Sequence, residues 1–161
     1  MVQESTRVNT AYFLMSEADV QKQLSLPWVS FSSDAASVAP EGVIPKSNLH
    51  PRAYGTFARV LGKYARNKHR QPLQEAIRKL PYLPATNLKL PKRGVLKVGN
   101  FADVLVFDSA NVLDHATYAQ PHQYATAMRH VFVNGVQVLK DGQHTGATPG
   151  RFVKGPGYRR K

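Results

Sequence analysis

The stretch Trp28-Val29-Ser30-Phe31-Ser32-Ser33-Asp34-Ala35-Ala36-Ser37 determines how the rest of the sequence is interpreted. Its first four residues are largely apolar and partly β-branched, which favours a short buried strand. Asp34 follows at the C-terminal end of this run, and a loop rich in small residues comes next. A (β/α) barrel carries its chemical groups at the C-terminal ends of its strands. Asp34 is therefore the leading candidate for a residue of a chemical site.

Helical patterns lie on both sides of this predicted strand. Ser16 can cap a first helix, and Pro27 sets the end of that helix. Residues 57–67 carry apolar side chains at positions i, i+3, i+4 and i+7, which predicts a second helix with one apolar face. A third helix begins at Pro72, where proline is tolerated, and should end at Pro81.

The apolar period changes from that of a helix to that of a strand at Arg93. Residues 102–108 predict one strand, and residues 131–139 predict two strands around Asn134-Gly135. Asn-Gly is a strong hairpin signal because both residues tolerate a positive φ. The sequence therefore predicts three regions, an α/β part, a β part and a basic tail, over residues 10–92, 93–158 and 159–161.

Composition excludes several classes of function. The 161 residues include no cysteine, so a metal site would need His, Asp or Glu ligands. No apolar run approaches the ~20 residues of a spanning helix, and we expect no membrane partner. The net charge of +12 would suit a nucleic acid, but the basic residues are dispersed and only residues 159–161 form a tight basic run. No nucleic-acid-binding motif accompanies them, and we expect no nucleic-acid partner.

Three residues are candidates for a functional site. Asp34 could ligate a divalent metal or accept a proton from a metal-bound water, or it could simply cap the following loop. His50 could donate a proton and Arg52 could clamp a carboxylate, or they could be a loop histidine and a surface arginine. The residues alone leave these alternatives open. The remaining histidines lack the spacing of a ligand set; they are His69, His115, His122, His130 and His144.

Longer motifs carry further information. They are Val29 to Ala35, the block His50-Pro51-Arg52-Ala53-Tyr54-Gly55-Thr56-Phe57, Leu73 to Ala85, Arg93 to Gly99, Ala102 to Asp108, Pro121 to Tyr124, Val131 to Gly135 and Lys140 to Gly146. Through these motifs the chain resembles the C-terminal part of the N-acyl-D-amino-acid deacylases (D-aminoacylases) of the amidohydrolase superfamily. The resemblance runs from about Ser16 to Tyr158, and the block at His50 points to the deacylase branch.

This resemblance implies a fold of class α/β plus β. The expected parts are the last strand and the helices of a (β/α)8 metal-dependent hydrolase barrel, followed by part of the accompanying β-sandwich. The implied reaction is hydrolysis of the C–N amide bond of an N-acyl-D-amino acid, with zinc as cofactor. Asp34 matches the aspartate that ends strand 8, touches the metal and handles the proton of the attacking water. His50 and Arg52 match a substrate-side loop, where Arg52 would meet a substrate carboxylate.

The resemblance also implies what this sequence does not contain. The other metal ligands of the family, among them a His-x-His motif, should lie upstream, and a catalytic zinc takes about three protein ligands. We therefore expect the chain to be inactive alone and to self-associate through exposed barrel edges. One alternative is a non-catalytic interaction module that binds acidic partners through its basic surface. Another is that a second chain supplies the missing barrel.

Overall fold

A computed structural model of the chain describes residues 12–36, 38–41 and 49–158. The predicted basic tail, residues 159–161, lies outside the described residues, as do residues 10 and 11 of the predicted α/β part. The elements in chain order are α1 (Glu17–Ser25), α2 (Arg52–Arg59), the π-helix π1 (Val60–Asn67), α3 (Leu73–Ile77), the π-helix π2 (Arg78–Tyr82), α4 (Leu83–Asn87), β1 (Val104–Phe107), β2 (Met128–Val133), β3 (Val136–Lys140) and β4 (Gln143–His144). Within these ranges, no helix is long and apolar enough to cross a membrane.

The prediction of the first helix is confirmed. The Ser16 hydroxyl accepts a hydrogen bond from the Asp19 N–H at 3.1 Å, which satisfies one of the free donors of the first turn. Glu17 and Asp19 place negative charge at the positive end of the helix dipole. The helix ends at Ser25, two residues before Pro27.

The second helix is longer than predicted and partly of a different type. It begins at Arg52 and continues beyond α2 as π1. Leu61 and Tyr64 are buried as expected, but Phe57 is 49% exposed. The buried face of α2 is formed instead by the small residues Gly55 and Ala58, and this places Phe57 beside the apolar face.

The prediction that Pro81 ends the third helix is wrong. The helix begins at Leu73 and passes through Pro81 as π2 before it continues as α4. Proline lacks the N–H that an α-helical turn would use at this position. The wider π turn bypasses this gap, because the Leu83 N–H donates to the carbonyl of Arg78, five residues earlier.

The predicted strand over residues 28–31 is also not formed. The structure describes this segment as extended chain without strand pairing, and Trp28 is 69% exposed. A strand requires a neighbour to satisfy its N–H and C=O groups. The described strands form one sheet, and no ladder in that sheet includes this segment. Phe31 nevertheless packs against the core, so the apolar character of the run is used in part.

The hairpin predicted around Asn134-Gly135 is confirmed. It joins β2 and β3 in a four-stranded antiparallel sheet of order β1-β2-β3-β4. Asn134 and Gly135 have φ values of 50° and 83°, the combination that a two-residue type I′ turn requires. Asp103 fixes this turn, because its carboxylate accepts the Asn134 N–H at 2.8 Å.

The buried core lies between the helices and the segment that links them to the sheet. Its buried members are Ala58, Val60, Leu61, Ala65, Ala76 and Val112. Phe107 and Met128 pack against this cluster from the sheet side. The helix that begins at Arg52 therefore has a firmly packed body, and its first turn lies at the edge of the core.

Candidate functional site

The structure brings the three predicted site residues together at the start of α2. The Arg52 guanidinium forms an ion pair with the Asp34 carboxylate, with an Nη2–Oδ2 distance of 3.0 Å. The backbone N–H of Arg52 donates to Nδ1 of His50 at 3.1 Å. One arginine therefore connects the other two residues, although His50 and Asp34 lie 16 positions apart in sequence.

Asp34 presents its carboxylate to solvent. Its side chain is 85% exposed, and its backbone lies in the left-handed region with φ 47°. This conformation is uncommon for a residue other than glycine, although aspartate tolerates it better than most. Among the described residues the carboxylate accepts no backbone N–H, and its partner is Arg52.

His50 is held in a defined tautomer. Because Nδ1 accepts the Arg52 N–H, the proton of the neutral ring lies on Nε2. Nε2 in turn donates to the Tyr118 hydroxyl at 2.9 Å, and the two rings meet edge to face. Burial lowers the pKa of His50, and the positive charges of Arg52 and Arg59 lower this pKa further. A neutral His50 suits a positioning or binding role better than the role of a proton donor.

His50 and Arg52 line one side of a cleft of about 310 Å³, and Asp34 is not among its lining residues. Thr56 and Arg59 continue that side along α2, and Tyr118 stands opposite. Arg59 is fixed by Asp114, with an Nε–Oδ2 distance of 2.5 Å, and the Asp114 side chain is only 5% exposed. The ion pair of Arg52 is exposed on both sides, and such pairs contribute about 0–1 kcal/mol. Arg52 can therefore leave Asp34 and pair with another anion, whereas Arg59 stays fixed against Asp114.

Two glycines allow the opposite wall to approach the helix. A Cβ atom on Gly55 would lie 2.0 Å from Oδ1 of Asp114, and one on Gly62 would lie 2.4 Å from the Val112 carbonyl oxygen. Residues 112–118 can consequently lie directly on the helix and supply Tyr118 to the cleft. Sequence analysis missed this wall, because no local spacing relates His50 to a tyrosine 68 positions away.

Two cations fix the segment that leads to Asp34. Lys79 is only 1% exposed, and its ammonium donates to the Leu24 carbonyl at 2.6 Å. The neighbouring Arg78 donates to the Pro27 carbonyl and pairs with Glu75. Burial lowers the pKa of Lys79, which reflects the cost of enclosing this charge. The third helix therefore holds the end of α1 and the start of the extended chain before Asp34.

The hydroxyl of Tyr54 is buried and has no hydrogen-bond partner among the described residues. Its ring contacts those of Tyr124 and His122 edge to face, with centroids 6.0 Å apart in each case. Burial raises the pKa of Tyr54. Because buried hydroxyls are nearly always paired in native proteins, this atom marks a place where a further group is expected.

Comparison with known proteins adds a second line of evidence, although no protein-family profile matches the chain. The chain is 39% identical over 153 residues to a D-aminoacylase of Alcaligenes xylosoxydans xylosoxydans, covering 95% of this chain and 30% of that protein. It is 40% identical over 146 residues to an N-acyl-D-aspartate deacylase and 36% identical over 143 residues to an N-acyl-D-glutamate deacylase of the same organism. These matches cover 91% and 89% of this chain, and 28% of each relative.

Solved structures give the same result. A crystal structure of D-aminoacylase, described as defining a novel subset of amidohydrolases, matches with a TM-score of 0.76 and 39% identity, covering 84% of this chain and 27% of that one. An N-acyl-D-glutamate deacylase from Bordetella bronchiseptica, complexed with zinc and a phosphonate inhibitor, matches with a TM-score of 0.71 and 35% identity. This second match covers 83% of this chain and 27% of the other.

These similarities identify the chain as a relative of the amidohydrolases. More narrowly, it is homologous to one part of the N-acyl-D-amino-acid deacylases, and the resemblance inferred from the sequence motifs is confirmed. The chain spans about 28–30% of the length of the known relatives it matches.

Proposed function

We propose that this chain forms one part of an N-acyl-D-amino-acid deacylase and that Asp34 is a catalytic residue of that enzyme. The reaction is hydrolysis of the C–N amide bond of an N-acyl-D-amino acid. The observation that carries the proposal is the homology to three named deacylases, which extends over 89–95% of the chain. The Asp34 carboxylate is exposed to solvent and lies beside Arg52, so a water molecule and a substrate can both reach it.

Residues 10–92 would belong to the end of a (β/α)8 barrel and residues 93–158 to part of a β-sandwich. The partial coverage of the relatives supports this assignment. The exposed Trp28 and the unpaired extended chain over 28–31 also support it, since that segment could pair if a neighbouring strand were present. The unpaired Tyr54 hydroxyl is consistent with a covering surface or a bound substrate.

In the proposed mechanism Asp34 moves a proton. Its carboxylate accepts a proton from the water that attacks the acyl carbonyl, and it then delivers this proton to the leaving amine. The carboxylate must be accessible and ionised for the first step, and the side chain is 85% exposed. The Arg52 guanidinium lies 3.0 Å from this carboxylate and places a positive charge beside it.

Arg52 and His50 would bind the substrate. A guanidinium can hold a carboxylate through two parallel hydrogen bonds, and an N-acyl-D-amino acid carries such a carboxylate. Arg52 is free to turn toward it because its present ion pair is exposed. His50 orients the first turn of the helix through its Nδ1, and its contact with Tyr118 fixes the ring on the wall of the cleft.

Zinc accompanies the N-acyl-D-glutamate deacylase structure and is the expected cofactor of the whole enzyme. The described residues of this chain do not fit a zinc site on their own, since they bring no three His, Asp or Glu side chains together. A catalytic zinc takes about three protein ligands. Asp34 would contribute one carboxylate oxygen, and we place the other ligands in the part of the relatives that this chain does not match.

A chimera tests the proposal. In the D-aminoacylase of Alcaligenes, the segment that this chain matches would be replaced by the chain itself, and hydrolysis of an N-acetyl-D-amino acid would be measured. We expect zinc-dependent turnover by the chimera and none by the isolated chain. Asp34→Asn should lower kcat of the chimera about 10²–10⁴-fold, the usual contribution of an acid–base residue.

Asp141→Asn is the matched control for this substitution. Asp141 is also an exposed aspartate, at 71%, and its backbone is also left-handed, with φ 49°. It should leave kcat unchanged. A chimera in which Asp34→Asn and Asp141→Asn behave alike would exclude Asp34 from catalysis.

Arg52→Lys should raise KM more than it lowers kcat, because lysine keeps the charge but loses the two-point contact.

A further inference from the structure

A second cleft, of about 660 Å³, lies between the end of π1 and the turn that follows β1. Its polar lining consists of Arg66, His69, Gln71 and Ser109, and Leu73 and Ala110 add apolar surface. No acidic side chain is among the described residues that line it. The proposed deacylase reaction makes no use of this cleft.

Gln71 is the unusual group in this cleft. The residue is only 6% exposed, and both polar atoms of its side chain, Nε2 and Oε1, are buried without a hydrogen-bond partner among the described residues. Buried polar atoms in native proteins are nearly always paired. A side-chain amide offers donors and an acceptor in one plane. A single partner that satisfied both atoms would present an acceptor to Nε2 and a donor to Oε1.

Arg66 supplies a positive charge that has no counterion among the residues the structure describes. Its Nη1 donates to the carbonyl oxygens of Val112, at 2.8 Å, and Ser109, at 3.2 Å, and its Nε donates to Oδ1 of Asn67. These partners hold the guanidinium in place but are all neutral. Within the described residues Arg66 forms no ion pair, so its charge remains available to an anion.

We propose that this cleft binds a small organic anion that carries a primary carboxamide or ureido group. The planar group would pair with Gln71 through two hydrogen bonds, and the negative charge would lie toward Arg66 and His69. A simple carboxylate fits less well, because it has acceptors only and would leave Oε1 of Gln71 without a donor. This inference is independent of the proposed deacylase function.

Succinamate, which joins a carboxylate to a primary carboxamide, is the probe for the test. The full 161-residue chain, labelled with ¹⁵N, would be titrated while the side-chain NH₂ signals of Gln71 are followed by NMR. We expect a saturable shift with a dissociation constant in the millimolar range, as befits a ligand of so few atoms. Succinate lacks the amide and succinamide lacks the charge, and each should bind about tenfold more weakly.

Two variants complete the test. Gln71→Leu keeps the volume and removes the amide, so succinamate binding should weaken about tenfold while Tm rises because an unpaired buried polar group is gone. Gln74→Leu, three residues further on and outside the cleft lining, should bind succinamate like the unmodified chain. N-carbamoylglycine, which joins a carboxylate to a ureido group, would be titrated as a second probe. The proposal would be overturned if succinamate and succinate bound equally well, or if the Gln71→Leu variant bound succinamate like the unmodified chain. It would also be overturned if neither succinamate nor N-carbamoylglycine shifted the Gln71 signals.

Discussion

Glu17 shows how several cations can hold one exposed carboxylate. Lys68 donates to Oε1 at 2.7 Å, and Lys63 and Tyr64 approach Oε2 at 3.4 Å and 3.2 Å. The hydrogen bond from Lys68 is the main reason that the pKa of Glu17 falls from 4.5 to about 2. These contacts tie the first helix to the second across 51 residues of sequence.

This pKa shift predicts how stability depends on pH. Because the folded-state pKa lies below the unfolded value of 4.5, the stabilisation is present above that value and is lost as pH falls toward about 2. Glu17→Gln should lower Tm at pH 7 by at most about 4 °C, since the cluster is partly exposed. Thermal unfolding followed by circular dichroism from pH 7 to pH 2 checks this. A Tm difference that stays constant over that range would contradict it.

The sequence predicted those residues of the candidate site that come from segments close together along the chain. Asp34, His50 and Arg52 meet because all three lie around the start of one helix. Tyr118 and Asp114 were not predicted, since they reach the site from 68 and 55 positions away along the chain. Contacts over such distances leave no periodicity in the sequence that could be recognised.

At the scale of the elements, we expect Gly55 to stabilise the fold relative to alanine, whereas a glycine within a helix usually destabilises it. An exposed helical glycine costs about 1 kcal/mol relative to alanine. Here a Cβ atom would collide with Oδ1 of Asp114, which lies 2.0 Å from its position. Gly55→Ala should therefore lower the free energy of unfolding by about 1–3 kcal/mol, the range for an overpacked interior. Urea unfolding of the two chains measures the difference.

The double variant Gly55→Ala, Asp114→Ala provides the control. Removal of the carboxylate takes away the atoms that the new methyl group would meet, so the loss in the double variant should be smaller than the sum of the two single losses. Strict additivity would mean that the space beside Asp114 is not the reason for a glycine at this position.

The elements that the sequence predicted are those stabilised by interactions between residues a few positions apart. The Ser16 cap and the Asn134-Gly135 turn depend on hydrogen bonds and backbone angles within a few residues, and both were found. The strand over 28–31 depends on a neighbour that the described chain does not provide. Pro81 was read as a helix end because a π turn, which accommodates it, has no recognised sequence signal.

At the scale of the whole molecule, exposed apolar side chains predict self-association. Leu96 and Val98 are 77% and 100% exposed in the segment that precedes the sheet, and Trp28 is 69% exposed in the extended chain. Exposed apolar surface favours contact with another molecule. We expect a concentration-dependent increase in mass by light scattering, reduced in the variant Leu96→Glu, Val98→Glu.

Lys97→Glu is the control for that experiment. It lies between the two apolar residues and changes the net charge by the same amount as the double variant, but it removes no apolar surface. It should associate more than the double variant does. A monodisperse monomer that melts well above ~60 °C at all concentrations would contradict the prediction.

The buried ammonium of Lys79 couples parts of the molecule that would otherwise open separately. A short helix held by few contacts normally opens on its own, at little cost in free energy. Here withdrawal of α1 would leave an enclosed positive charge without its carbonyl partner at Leu24, 2.6 Å away. We therefore expect the first and third helices to open together, so that the backbone amides of α1 exchange at rates close to those of π2. The extended chain that follows α1 and leads to Asp34 is consequently held at its N-terminal end, where Arg78 donates to the Pro27 carbonyl.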